Sequence, residues 1–178
     1  MNKKKGFLGM ALAFILNNLL SVVVCLLIMT LFSFVLDTKF GWIMHVVMLV
    51  AFLFFVYHQA WQYGDRDLNN NFGNRNLTAL LGGLIAAIPT LLLAIFALLI
   101  EVGAYVPNFT IWGQATITAV YRFWNMPFII MFDLFKAVPV LYFLPCIVMP
   151  CLTTVGYLFG YKNIKISDYI YYAREENE

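Results

Sequence analysis

The chain has 178 residues, of which 63% are hydrophobic and only 11% charged, with a mean hydropathy of +0.84 and a net charge of +2. Soluble domains carry about 25% charged residues, so this composition points to a bilayer as the solvent. The basic residues are scattered over both ends and several loops, which excludes nucleic-acid binding through a clustered basic patch.

A short basic head, with Lys3, Lys4 and Lys5, precedes an apolar run over 7–36. That run exceeds the ~20 residues a helix needs to cross a membrane. It is too long for a signal peptide and has no small-residue cleavage site, so it reads as a permanent first span. Asn17 and Asn18 interrupt it. Amides in hydrocarbon need partners, so at least one should face another helix or water.

The second span is predicted at 42–61, with Trp42 and Trp61 at its ends as interfacial anchors. Residues 62–78 read as a polar cytoplasmic loop rich in turn-forming Asn, Asp and Gly. The third span is placed at 79–105. In it Gly82 with Ala86, and Gly83 with Ala87, form two overlapping pairs of small residues, and Pro89 follows. Such pairs let helix backbones approach closely, and the proline should kink the helix.

Residues 106–139 contain Arg122, Asp133 and Pro127. Two charges and a proline argue against a simple crossing; an outer interfacial or re-entrant helix fits better. The last span is set at 140–161, interrupted by Pro145 and Pro150 and carrying Gly156 and Gly160, with a cytoplasmic tail at 162–178. Its freed carbonyls need partners, and Thr153 and Thr154 are the candidates. With four spans, eight basic residues fall inside and three outside (Lys39, Arg122 and Lys136). The positive-inside rule then puts both termini in the cytoplasm. A five-span arrangement would carry Lys162, Lys165 and Arg174 outside, against that rule.

Four short stretches together resemble a family of small, uncharacterised multi-pass membrane proteins of Firmicutes-type bacteria. They are Asp65-Arg-Asp-Leu-Asn69, Gly83-Leu-Ile-Ala-Ala-Ile-Pro89, Tyr121-Arg122 with Asn125, Pro127 and Phe128, and Gly156-Tyr-Leu-Phe-Gly-Tyr-Lys162. The resemblance implies a bacterial inner-membrane protein and supplies no catalytic residue.

The fold expected is therefore all-α and polytopic, a single membrane domain over 1–178 with four spans and one interfacial or re-entrant helix. Gly82, Gly83, Ala86, Ala87, Gly156 and Gly160 are the expected helix-packing positions. Packing within the chain is the first reading, and an interface with another copy or subunit, at Gly156 and Gly160 above all, is the alternative. Asp65, Arg66, Asp67, Asn69 and Arg75 are read as a partner-docking loop, or as a solvated connector. Asn17, Asn18, Glu101 and Asp133 are read as a polar path, although an Asp133–Lys136 ion pair explains part of that set. His45 and His58 stand about 20 Å apart along one helix and cannot share a metal ion. Cys25, Cys146 and Cys151 form no metal or disulfide pattern, and no catalytic set can be assembled. No cofactor or metal is expected, and no enzyme. The expected partners are the lipid bilayer and either another membrane protein, a transporter among the candidates, or further copies of the chain. The expected function is that of a non-catalytic accessory or scaffold subunit; a small oligomeric transporter or channel is the alternative, with a lipid-acting enzyme a distant third.

Overall fold

The computed structural model describes residues 6–36, 41–101, 111–134 and 139–164. The described residues form helices and no strand. In chain order they are α1 (Phe7–Leu31), the short α2 (Ser33–Leu36), α3 (Gly41–Asn69) and α4 (Asn76–Glu101). Then come α5 (Ile111–Trp124), a 3-10 turn at Met126–Phe128, α6 (Ile129–Leu134), a 3-10 turn at Pro139–Phe143, and α7 (Leu144–Tyr161). Four stretches are long and apolar enough to cross a membrane: Phe7–Leu31, Gly41–Asn69, Asn76–Ile100 and Leu141–Tyr161. The chain is an all-α polytopic membrane protein.

α3 and α4 both pack on α7, and α1 lies against α3 and α4. Each span sends its leucines, valines and isoleucines outward; Leu12, Leu16, Val50, Leu84 and Leu92 are exposed. In water such a surface would be an aggregation hazard, whereas lipid tails satisfy it. The interior instead holds small and aromatic residues, among them Ala60, Ala79, Ala86, Ala94, Phe14, Tyr121 and Tyr157. With no apolar driving force between helices in lipid, close backbone packing must hold them, and small residues allow it.

The predicted polar loop at 62–78 differs from the structure. α3 continues to Asn69, about 43 Å in all, well beyond the ~30 Å hydrocarbon core. Past Trp61 the helix buries Tyr63, Gly64 and Asp67 on one face, which a hydropathy reading misses. The true connection is only a few residues long. Asn71 takes φ 53, and the N–H groups of Asn71 and Phe72 return to the carbonyls of Leu68 and Asp67. That is the Schellman closure of a helix, with Asn in the left-handed position. Asn74 Oδ1 then accepts the Asn76 N–H at 3.0 Å and starts α4. Asn163, at φ 52, ends α7 in the same way, with the Asn163 and Ile164 N–H groups bonded to the Gly160 and Phe159 carbonyls.

The 111–134 segment is a hairpin of two half-helices. α5 lies along α4 and ends at Asn125, where Met126, Pro127 and Phe128 form the buried tip. α6 then turns back, so that Phe132 rests 5.3 Å from the Tyr121 ring and 5.7 Å from Tyr142. The tip reaches deep: Phe128 meets Phe52 of α3 at 5.0 Å, and Met126 packs with Cys25 and Met48. Its neighbours Asn18 and Thr90 lie near the midpoints of α1 and α4. The tip thus reaches the middle of the helix bundle.

Candidate functional site

Two polar clusters stand out among the described residues. The first joins the ends of α3, α4 and α7. Asp67 is fully buried. The Tyr157 hydroxyl donates to Asp67 Oδ2 at 3.0 Å and itself accepts the Arg75 N–H at 2.9 Å. Arg75 Nη1 lies 3.4 Å from the same carboxylate oxygen, and its side chain is 11% exposed. One carboxylate therefore ties together the end of α3, the start of α4 and the last turns of α7. A buried pair contributes little net stability, but losing one partner is costly because a charge is left uncompensated.

The same helix ends meet backbone to backbone. A Cβ on Gly160 would strike the Trp61 carbonyl and come within 2.9 Å of the Asp65 nitrogen. A Cβ on Gly156 would come within 2.8 Å of the Tyr57 carbonyl oxygen, and one on Gly64 would strike the Tyr157 carbonyl. Gly156 and Gly160 therefore face α3 of their own chain. Ala60 and Gly64 are the matching small pair, overlooked because the span was ended at Trp61. Gly83 likewise faces Pro150 and Thr153 of α7, while Gly82 faces Met10 and Phe14 of α1. Adjacent glycines thus seat α4 between two different helices. Ala86 and Ala87 are buried in the same core.

The residues expected to form a docking loop divide. Asp67 and Arg75 are internal, as described. Asp65 Oδ2 accepts from Asn69 Nδ2 at 3.1 Å, and that pair lies on the exposed side of α3. Arg66 lies with its guanidinium carbon 4.8 Å from the Tyr63 ring centroid. The Trp61 indole donates to the Ile164 carbonyl at 2.9 Å, tying α3 to the end of α7.

The second cluster surrounds the re-entrant tip. Asn18, Thr90 and Asn125 are buried and, with Phe52, Trp124 and Phe128, line a space of about one water molecule. The Trp124 indole donates to Thr90 Oγ1 at 2.9 Å, Asn125 Nδ2 donates to the Tyr121 carbonyl at 3.1 Å, and the Tyr121 hydroxyl donates to the Tyr142 carbonyl at 2.8 Å. Thr90, next to Pro89, is thus the anchor for the hairpin.

Asn17 does not point at Asn18's cluster. It donates to the Phe55 carbonyl at 2.6 Å, joining α1 to α3. Glu101 closes α4 and Asp133 lies in α6, but their side chains fall outside the described residues, as do Lys136 and the tail from residue 165. Thr153 and Thr154 donate to the Pro150 carbonyl at 3.1 and 2.7 Å. They do not reach the carbonyl one turn earlier that the proline frees. Among the described residues no group of three His, Cys, Asp or Glu side chains could hold a metal ion. Compared with protein-family models, with curated proteins and with solved structures, the chain matches none, so the resemblance to the Firmicutes-type family rests on its short motifs alone.

Proposed function

We propose that the chain is a non-catalytic integral membrane subunit, an accessory or scaffold that works by packing its outer surface against a membrane partner. One observation carries this reading. Three of the polar side chains that looked functional in the sequence join the chain's own helices: Asp67 and Arg75 at one end, where Tyr157 completes the link, and Asn17 between α1 and α3. The interior at mid-depth leaves room for about one water molecule. What such a bundle has to offer a partner is its surface. The distribution of basic residues supports both termini being cytoplasmic, and the resemblance to the Firmicutes-type family is what supports a bacterial inner membrane.

A second reading is favoured by the re-entrant hairpin. Broken helices at mid-depth are the places where transporters expose backbone groups to substrates, and Asn18, Thr90 and Asn125 gather there. An oligomeric transporter or channel would use that cluster. Extraction from native membranes in a mild detergent, followed by particle sizing and mass spectrometry, separates the two. A stoichiometric second protein is the expected result. A homo-oligomer with no other protein bound would overturn the accessory reading in favour of the second.

A further inference from the structure

Arg66 Nε and Nη2 are both buried and have no hydrogen-bond partner. These two N–H groups lie on one edge of the guanidinium, the edge that grips two oxygens of a single carboxylate or phosphate. The neighbouring acids do not serve them. Asp65 Oδ2 accepts from Asn69, and Asp67 Oδ2 takes Arg75 and Tyr157; Asp67 Oδ1 is buried without a partner as well, so it does not reach the Arg66 fork. The Tyr63 ring, 4.8 Å from the guanidinium carbon, steadies the charge from its face and leaves the edge unanswered. A buried cationic fork without an acceptor is costly, so the site calls for an anion. Arg66 as a whole is only half-buried, and its long side chain can turn that edge outward.

Depth narrows the choice. At ~1.5 Å per residue from Gly41, Arg66 stands about 37 Å along α3, beyond the ~30 Å hydrocarbon core and at the level of the headgroups. The abundant two-oxygen anion there is the lipid phosphodiester. Tyr63 also walls a groove between α1 and α3, of about 270 Å³, whose other lining residues are Ala13, Leu16, Asn17, Leu20 and Gln59. Arg66 stands about one turn above Tyr63 on α3, at the head of the groove rather than in its lining; from there the path down α3 meets the Gln59 amide about two turns below and then the leucines. A phospholipid carries its groups in the same order: phosphate, ester carbonyls, acyl chain.

The geometry points to a bound phospholipid, its phosphate on the Arg66 fork, its ester region at Gln59 and one acyl chain along Ala13, Leu16 and Leu20. This site stands whether or not the chain serves a larger assembly. The test uses the full chain, delipidated in detergent, with phosphatidylglycerol added and bound lipid counted by native mass spectrometry. One lipid per chain should survive activation that strips the rest. Arg66→Lys keeps the charge and loses the fork. Leu16→Trp fills the groove from an exposed position, so folding is not at stake. Each should lower the retained population at least fivefold, while Lys162→Gln, at an exposed cation just past the end of α7, leaves it unchanged. Equal retention by wild type, Arg66→Lys and Leu16→Trp overturns the proposal, as does equal retention of a diacylglycerol that has no phosphate. Displacement of the lipid by inorganic phosphate alone overturns the lipid assignment.

Discussion

Replacing Gly160 by Ala is the sharpest perturbation of this fold. The added Cβ meets the Trp61 carbonyl, lies 2.8 Å from its carbon and 2.9 Å from the Asp65 nitrogen. All three are backbone atoms of α3, so no side chain can rotate away, and α7 must shift. Overpacking of this kind costs about 1–3 kcal/mol. The shift also strains the Trp61–Ile164 and Tyr157–Asp67 hydrogen bonds, which span the same helices. Against this stands a helix-propensity gain of about 1 kcal/mol for Ala over Gly. The expected net loss is about 2 kcal/mol. Gly82→Ala is the internal control. Its Cβ comes no closer than 3.2 Å to the Met10 Cβ, 3.3 Å to the Phe14 ring and 3.4 Å to the Ala11 nitrogen, a fit that asks α1 to give by only a few tenths of an ångström. With the same propensity gain, that variant should be neutral within about 1 kcal/mol. Equilibrium unfolding in one detergent, with both variants and wild type side by side, provides the comparison. If Gly160→Ala is no less stable than Gly82→Ala, the close α3–α7 contact is wrong.

Tyr157→Phe removes the hydroxyl that bonds both Asp67 and the Arg75 N–H, and should cost about 1.5–3 kcal/mol in the same unfolding assay. Asp67→Ala leaves Arg75 without its carboxylate and should cost about 3–5 kcal/mol; additivity of the two substitutions in a double-mutant cycle would contradict a shared network. With the native cysteines replaced, Asn125→Cys should resist a membrane-impermeant maleimide added from either side, because Asn125 is 3% exposed at the re-entrant tip; rapid labelling would place that tip in water. Trp61→Phe removes the bond to the Ile164 carbonyl and should cost about 0.5–1.5 kcal/mol, read as a lower unfolding midpoint.

The four spans were legible because long apolar runs admit few alternatives in a chain this poor in charge. The end of α3 was not. Gln62, Asp65, Arg66 and Asn69 look like a loop by composition, yet they are the outer side of a helix whose other side buries Tyr63, Gly64 and Asp67. Once the span was cut at Trp61, the Ala60–Gly64 pair opposite Gly156 and Gly160 was lost as well. Helical spacing from Val56 through Ala60, Tyr63, Gly64 and Asp67 is the signal that could have recovered it. Asparagines 71 and 74 read correctly as turn formers, but only the backbone assigns one to a left-handed cap and the other to a helix start. The depth of the hairpin was not readable either. Pro127 marks a break, whereas the Trp124–Thr90 and Phe128–Phe52 contacts that set its reach are tertiary. Burial of Asp67 depends on Tyr157, distant in sequence, and nothing local announces it.

A chain that acts through its outer surface rather than its interior must present one face to a partner. Site-specific photocrosslinking in native membranes tests it directly, with the photoreactive residue placed in turn at the exposed Leu12, Phe54, Leu84 and Ile147. Positions on one outer face, and not those on the others, should capture the same second polypeptide in stoichiometric yield. Crosslinks from every position to lipid or to copies of the chain alone would contradict it.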